Sequence, residues 1–332
     1  MPSYGFPTLL QYSRLNASIS DIKQRSEQTR VEIVTGRIAD LNATLAGGVG
    51  DAQLMRKAID DIAVQQTSIT RALGRAQASQ LSLSRAADGA TQIGVNVLDA
   101  VGRRDENAIG IASTQAGLQL DAAVAAFNQR YEGRALFSGD GVQQNALADS
   151  DTLLTDVRAI FAGAADAAQL EADLDAYFNT PGGGFDTNIY VGGAGNAART
   201  EISDGELVNY SAKADEQPVR DLLRSLTSLI VAEEQTGFAD RDAALSAAAT
   251  GLIESSNGVA EIRSRIGAVE ERMVAAQARL DAENTALGET YNERTARDPY
   301  EAATLLQQLE SQLQTSFILT ARISQLTLSN YI

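Results

Sequence analysis

Apolar and small side chains recur at helical spacing along both ends of this 332-residue chain. Near the N-terminus, intervals of three and four residues alternate through Tyr12, Leu15, Ile19, Ile22, Ser26, Thr29 and Ile33. Near the C-terminus, the apolar positions are Leu305, Leu309, Leu313, Phe317, Ile323 and Leu326. Such spacing is typical of long helices that pair along one face. We therefore predict an assembly seam formed by Tyr12, Leu15, Ile19, Ile22, Leu305, Leu309, Leu313, Phe317, Ile323 and Leu326. The spacing alone is equally compatible with ordinary packing inside a helical bundle.

The rest of the pattern predicts a nested, mainly α protein. Helical periodicity covers residues 9–46, 51–88, 95–131, 219–235, 239–250, 252–294 and 300–332, with glycine-rich breaks between several of them. Asp298 and Pro299 are placed as the N-cap and first residue of the last helix. We predict a long-helix coiled-coil bundle built from both termini, with a smaller insert in the middle. The predicted domains are a terminal coiled coil (1–46 and 295–332), a helical bundle (47–138 and 217–294) and an outer insert (139–216).

The predicted insert differs in composition from its flanks. It contains the turn-rich sequences SGDG, PGGG, VGGAG and ISDG between short apolar runs, which predicts a β-rich or mixed domain with a helical part over 152–178. Residues 142–216 hold 13 acidic and 3 basic side chains, a net charge of −10. An acidic surface would resist lateral association, although a neutral, tolerated insertion explains the composition equally well.

Composition excludes most catalytic and nucleic-acid-binding classes. The chain has no cysteine and no histidine, so it lacks the commonest nucleophile, general base and metal ligands. Its net charge of −16 disfavours binding to nucleic acid, which requires a basic face. We expect no enzyme activity, no catalytic residues, no cofactor and no metal.

Two weaker site patterns have simpler explanations. Residues 193–198 fit G-x-G-x-x-A, but the following Arg199–Gly205 resembles strand and turn where a dinucleotide site needs a helix. A β-hairpin loop is the simpler interpretation. Asp166, Glu171, Asp173 and Asp175 are acidic enough for loose calcium binding but lack the spacing of an EF-hand loop.

The first residues lack a charged segment followed by an apolar run, so we expect no cleaved signal peptide. No apolar stretch is long enough to span a bilayer, so we expect no membrane insertion. These features alone would place the chain in the cytoplasm.

Three stretches resemble the flagellin family. Glu32–Arg37 is similar to its helix-ending I-x-T-G-[KR], and Gly133–Gly139 (GRALFSG) to the G-x-Y-L-F-[AS]-G of its junction members. The third is the C-terminal helix, from Asp298-Pro299-Tyr300 to the closing LTLSNYI. The chain departs from the family after Arg37, where a Ser-Asp-Asp-Pro-like turn is usual, and at Ala135, where an aromatic residue is usual.

This resemblance implies a structural subunit outside the cell. Flagellin-type proteins leave the cell unfolded through the flagellar export channel, and their paired termini form an inner tube with the insert facing outward. The expected role is the ring that joins hook to filament, as in the hook-associated members. The expected partners are further copies of the chain, neighbouring hook-associated subunits, flagellin and an export chaperone. The alternatives are flagellin itself and a soluble helical adaptor.

Overall fold

The computed structural model describes residues 9–44, 48–195, 198–203 and 205–329, without the side chains of 9–12, 43, 44 and 323–329. The chain divides into two compact units. Unit 1 comprises Met1–Ala63 and Asp281–Ile332, and unit 2 comprises Val64–Leu280. The predicted mainly α fold is confirmed. The three-part domain division stays a prediction.

Unit 1 contains the first and last helices of the chain. Helix α1 spans Leu9–Thr35 and α2 spans Leu41–Thr44, and α3 begins at Val49. Helix α9 ends at Thr295, and α10 spans Pro299–Ser329. The prediction of one helix over 9–46 was wrong, because Gly36 adopts a left-handed φ of 66° that ends α1. The predicted start of α10 is correct, since the Asp298 carboxylate accepts hydrogen bonds from the backbone N–H groups of Tyr300 and Glu301.

Unit 2 is built on α3, which ends at Ala87, and on α9, which begins at Arg241. Helices α4 (Ala90–Arg103), α5 (Glu106–Phe127) and α8 (Gln217–Glu234) complete its helical part. The sequence predicted a break near Gly251, whereas α9 runs unbroken through it. A Cβ atom on Gly251 would lie 2.4 Å from the Ser225 Oγ, so this glycine permits close approach of α8 and does not end the helix.

The predicted insert has mixed structure. It contains α6 (Ser150–Gly163), α7 (Ala167–Phe178), a π-helical turn (Phe185–Ile189) and an antiparallel hairpin of β3 (Arg199–Ser203) and β4 (Glu206–Asn209). Several of its acidic groups pair with arginines of α8 and α9. The pairs are Arg220–Asp186, Arg224–Glu171, Arg265–Glu216 and Arg272–Glu206.

A small hairpin leads from α5 into the insert. Its strands are β1 (Arg130–Tyr131) and β2 (Arg134–Ala135), joined by Glu132 and Gly133, which both have positive φ. The Arg75 side chain of α3 is only 7% exposed and donates a hydrogen bond of 2.6 Å to the Ala135 carbonyl oxygen. Burial lowers the pKa of the Arg75 guanidinium. This arginine therefore ties the GRALFSG sequence to the helical part of unit 2.

Replacing Arg75 with alanine should destabilise unit 2, because it leaves the Ala135 carbonyl oxygen buried without its donor. We expect Arg75→Ala to lower the free energy of unfolding by about 3 kcal/mol, measured by chemical denaturation. Arg71→Ala removes an equal charge from an exposed position on the same helix and should cost under about 0.5 kcal/mol. Equal losses in the two variants would contradict the prediction.

Candidate assembly surface on the terminal helices

Helices α1 and α10 of unit 1 pack against each other. Two contacts define an antiparallel register: Arg30 pairs with Glu310 at 3.1 Å, and the Lys23 ammonium lies 5.5 Å from the centre of the Phe317 ring. Moving seven residues back along α1 thus corresponds to moving seven residues forward along α10. The predicted pairing of the two ends of the chain is present in the structure.

The predicted seam residues differ in burial. Ile19, Ile22 and Leu309 are buried, and Leu15, Leu305 and Leu313 are partly buried. Phe317 is 46% exposed and lies at the margin of the contact. The side chains of Tyr12, Ile323 and Leu326 lie outside the described residues.

The seam also includes small and polar residues that the ten predicted assembly residues leave out. Ala302 on α10 is fully buried, and Ser26 and Thr29 on α1 are 7% and 3% exposed. The Thr29 hydroxyl donates to the Arg25 carbonyl oxygen of its own helix, which satisfies this buried group locally. The heptad spacing in the sequence already placed Ser26 and Thr29 on the polar part of the N-terminal seam. Because this seam buries few large apolar groups, it stabilises the pair weakly.

Helix α10 carries apolar side chains away from the seam. Phe317, Ile318 and Leu319 are 46%, 57% and 48% exposed. Consecutive residues on a helix point about 100° apart, so these three side chains cover more than half of its circumference. A helix that is apolar around most of its surface normally has partners on more than one side. We call Phe317, Ile318 and Leu319 the α10 apolar patch.

The chain segments that leave α1 and enter α10 form a second contact in unit 1, which we call the clasp (residues 32–39 and 291–298). The Arg297 N–H donates to the Gly36 carbonyl oxygen at 3.0 Å, and the Ile38 N–H donates to the Thr295 carbonyl oxygen at 2.9 Å. The Arg37 guanidinium stacks over the Tyr291 ring at 5.5 Å. The clasp thus brings together two of the sequence stretches that carried the family resemblance.

The Glu32 side chain contacts both segments of the clasp. Glu32, whose side chain is 14% exposed, accepts a hydrogen bond from the Ala39 N–H at 3.0 Å. Its other carboxylate oxygen lies 3.4 Å from the Arg297 Nε. Because a partly shielded ion pair is screened less than an exposed one, Glu32 and Arg297 should couple the end of α1 to the start of α10.

The weaker site patterns have structural explanations in unit 2. The glycines of the G-x-G-x-x-A sequence pack around the Asp140 carboxylate, which accepts a hydrogen bond from the Gly195 N–H at 2.9 Å. A Cβ atom on Gly193 would lie 1.8 Å from the Asp140 Oδ1. An acidic side chain therefore fills the space that a phosphate would need.

Three of the four acidic residues considered for calcium have other partners. Asp166 caps α7 by accepting from the Gln169 N–H, and Glu171 and Asp175 pair with Arg224. Over the described ranges, no three acidic side chains are grouped as metal ligands. No helix in the described part of the chain has an apolar stretch long enough to cross a bilayer.

Comparison with known proteins identifies the C-terminal region. Residues 250–332 match the family model of the bacterial flagellin C-terminal helical region. This match includes most of α9 and all of α10, which is one of the two paired terminal helices. No curated protein matches the chain significantly by sequence.

One of two solved structures shares the fold of this chain. A protein described as a flagellar hook-associated protein from Vibrio parahaemolyticus aligns with a TM-score of 0.58 and 13% identity, over 76% of this chain and 100% of that one. FlgL from Bacillus cereus aligns with a TM-score of 0.42 and 17% identity, over 75% of this chain and 100% of its own. Only the first of these alignments is strong enough to support an inference, and at this identity it concerns the fold.

The clasp should couple α1 and α10 energetically. We expect a double-mutant cycle of Glu32→Gln and Arg297→Gln to give a coupling of about 1 kcal/mol, because the pair is partly shielded. The measurement is hydrogen exchange at the Ile38 amide, which opens when the clasp opens.

The exposed pair Asp51 and Arg294 lies in the same unit and provides the matched control. Its cycle should give a coupling near zero at that amide. A Glu32–Arg297 coupling no larger than this control would contradict the role of the clasp.

Proposed function

We propose that this chain, whose residues 250–332 match the family model of the bacterial flagellin C-terminal helical region, is a flagellin-like structural protein and not an enzyme, and that it forms the ring joining the flagellar hook to the filament. The observation that carries this proposal is the α10 apolar patch beside a weak two-helix seam. Such a surface needs further helices to cover it, and copies of the same chain in a ring supply them.

Two further features favour the junction over the filament. The GRALFSG sequence resembles the junction members of the family, and in this structure a hydrogen bond from Arg75 holds it against α3. The relative from Vibrio parahaemolyticus carries a hook-associated description. In this proposal one surface of the ring contacts the hook-side subunits, and the other contacts the next hook-associated protein or flagellin.

The proposal includes an extracellular location on the flagellum. The chain would leave the cell through the flagellar export channel, accompanied by an export chaperone that shields its terminal helices. Exposed apolar residues on α10 supply a reason for such a chaperone, because they would otherwise associate before export.

Deleting the gene that encodes this chain from its source bacterium tests the junction role. We expect hooks without filaments and flagellin shed into the medium as monomer, seen by electron microscopy and by immunoblotting of the medium. Quantitative mass spectrometry of sheared flagella should find far fewer copies of the chain than of the main filament protein. If the chain is instead the main filament protein, it will itself account for most of the sheared mass. Recovery of the chain only from the cytosol would favour the soluble adaptor.

Changes in the α10 apolar patch should block assembly without unfolding the protein. We expect Ile318→Asp to prevent incorporation into flagella, because a charge at a buried contact is costly. Truncation of residues 315–332 should do the same, because it removes the α10 apolar patch. Leu81→Asp is the matched control, since Leu81 is 53% exposed and Ile318 57%. Normal incorporation of Ile318→Asp would contradict the assembly role of the patch. Circular dichroism should show the folded bundle in each variant.

A further inference from the structure

Arginines without acidic partners gather around the β1–β2 hairpin of unit 2. Arg134 lies on β2, Arg71 lies about one helical turn before Gly74 on α3, and both arginine side chains are exposed. The Tyr131 side chain of β1 packs onto Gly74, where an added Cβ atom would lie 2.3 Å from the tyrosine hydroxyl oxygen. The hairpin therefore lies on the turn of α3 that follows Arg71.

Two further arginines add to the positive charge of this surface. Burial lowers the pKa of the Arg75 guanidinium, and the nearby Arg134 charge lowers it further. Arg130 donates a hydrogen bond of 2.7 Å to the Gln143 carbonyl oxygen, which is an uncharged partner. We call Arg71, Arg75, Arg130 and Arg134 the basic patch.

The basic patch lacks a neutralising carboxylate. In the described part of the chain, none of its four arginines forms an ion pair. Together with Glu132, the acidic residue of the hairpin turn, they give this surface a net charge of +3 on a chain whose net charge is −16. Like charges that lie close together repel one another, so a carboxylate supplied from outside the chain would stabilise the arrangement.

The start of α6 carries the complementary charge. Asp149 and Asp151 are exposed, and Asp149 occupies the N-cap position without a side-chain hydrogen bond to the helix. The Asp121 carboxylate of α5 accepts a hydrogen bond of 2.6 Å from the Ser150 hydroxyl, which brings a third carboxylate close to them. We call Asp121, Asp149 and Asp151 the acidic patch. Over the described ranges, these three carboxylates form no ion pair.

The basic and acidic patches belong to the same unit but do not neutralise each other within one chain. A heterologous contact joins two different surfaces on successive copies of a subunit. Two surfaces of opposite charge on one chain, both without internal partners, meet this requirement. A small ion would screen one patch at a time, whereas a second copy of the chain neutralises both kinds of patch through a single contact.

We propose that the basic patch of one copy binds the acidic patch of the next copy. This inference rests on the proposed function, since it supplies a contact between the second units of successive copies in the ring. The exposed Arg71 and Arg134 meet the carboxylates of the neighbour, while the buried Arg75 contributes its charge from behind the hairpin. Charge complementarity of this kind sets the orientation and the rate of encounter more than the affinity.

The absence of cysteine from the chain allows this contact to be tested by disulfide formation. Glu132→Cys places a thiol in the basic hairpin, and Thr152→Cys places one beside the acidic patch. The two purified full-length variants, one with an affinity tag, are mixed and oxidised at about 0.05 M salt. We expect the mixed disulfide to form at least about tenfold faster than between Glu132→Cys and Ala172→Cys, which exposes its thiol on α7. Raising the salt to about 0.5 M should remove the difference.

Charge reversal separates electrostatic attraction from chance collision. Adding Arg71→Glu and Arg134→Glu to the Glu132→Cys chain should lower its rate with Thr152→Cys to that of the Ala172→Cys mixture. Adding Asp149→Lys and Asp151→Lys to the Thr152→Cys chain should then restore the rate, because the signs are exchanged across the contact.

Arg85→Glu with Arg104→Glu is the matched control for the reversed arginines. It makes the same change in net charge at two exposed positions outside the basic patch. Placed in the Glu132→Cys chain, it should leave the rate with Thr152→Cys within about twofold of the original, because only local charge complementarity matters. Circular dichroism of each variant checks that the fold is kept, and the comparison of the Thr152→Cys and Ala172→Cys partners requires no reversed charge.

Equal rates for the Thr152→Cys and Ala172→Cys partners would overturn the proposal. Failure of the exchanged signs to restore the rate in folded variants would also overturn it, as would slowing by the control reversal equal to that by Arg71→Glu with Arg134→Glu. These measurements use the purified chain alone. A specific contact combined with attached filaments in the gene deletion would therefore refute the junction role and keep the contact, and the opposite pair of results would do the reverse.

Discussion

Unit 1 depends on the clasp, where the end of α1 meets the start of α10. Pairing helices from opposite ends of a chain costs loop-closure entropy, and a seam containing Ser26, Thr29 and Ala302 recovers little of it through apolar burial. The backbone hydrogen bonds of Gly36 and Ile38 hold the two helix ends side by side. The clasp therefore lowers the entropic cost of pairing along the remaining length of both helices.

The weak seam and the exposed α10 apolar patch have the same cause: the pair of α1 and α10 does not bury all of its apolar groups internally. A helix pair that satisfied all its apolar groups internally would have no reason to associate further. Here α1 turns polar toward its C-terminal end, while Phe317, Ile318 and Leu319 stay largely uncovered. This asymmetry fits a subunit that completes its core with neighbouring copies, as the proposed function requires.

Several acidic side chains of unit 2 form ion pairs in the tertiary structure, which their distribution in the sequence does not reveal. The predicted insert has a net charge of −10 over residues 142–216, yet Asp186, Glu171 and Glu206 pair with arginines of α8 and α9. Its acidic residues are thus in part an electrostatic contact with the helices and not simply a solvated surface.

Local signals in the sequence determined the helical class and the start of α10 at Asp298 and Pro299. These features follow from periodicity and capping, which act over a few residues. The end of α1 at Gly36 and the continuity of α9 through Gly251 were mispredicted, because a glycine can end a helix or admit a neighbouring one, and only the packing decides which. The pairing of the two ends, the clasp and the position of Phe317 at the margin of the seam required the tertiary structure, since each depends on contacts between residues far apart in the chain.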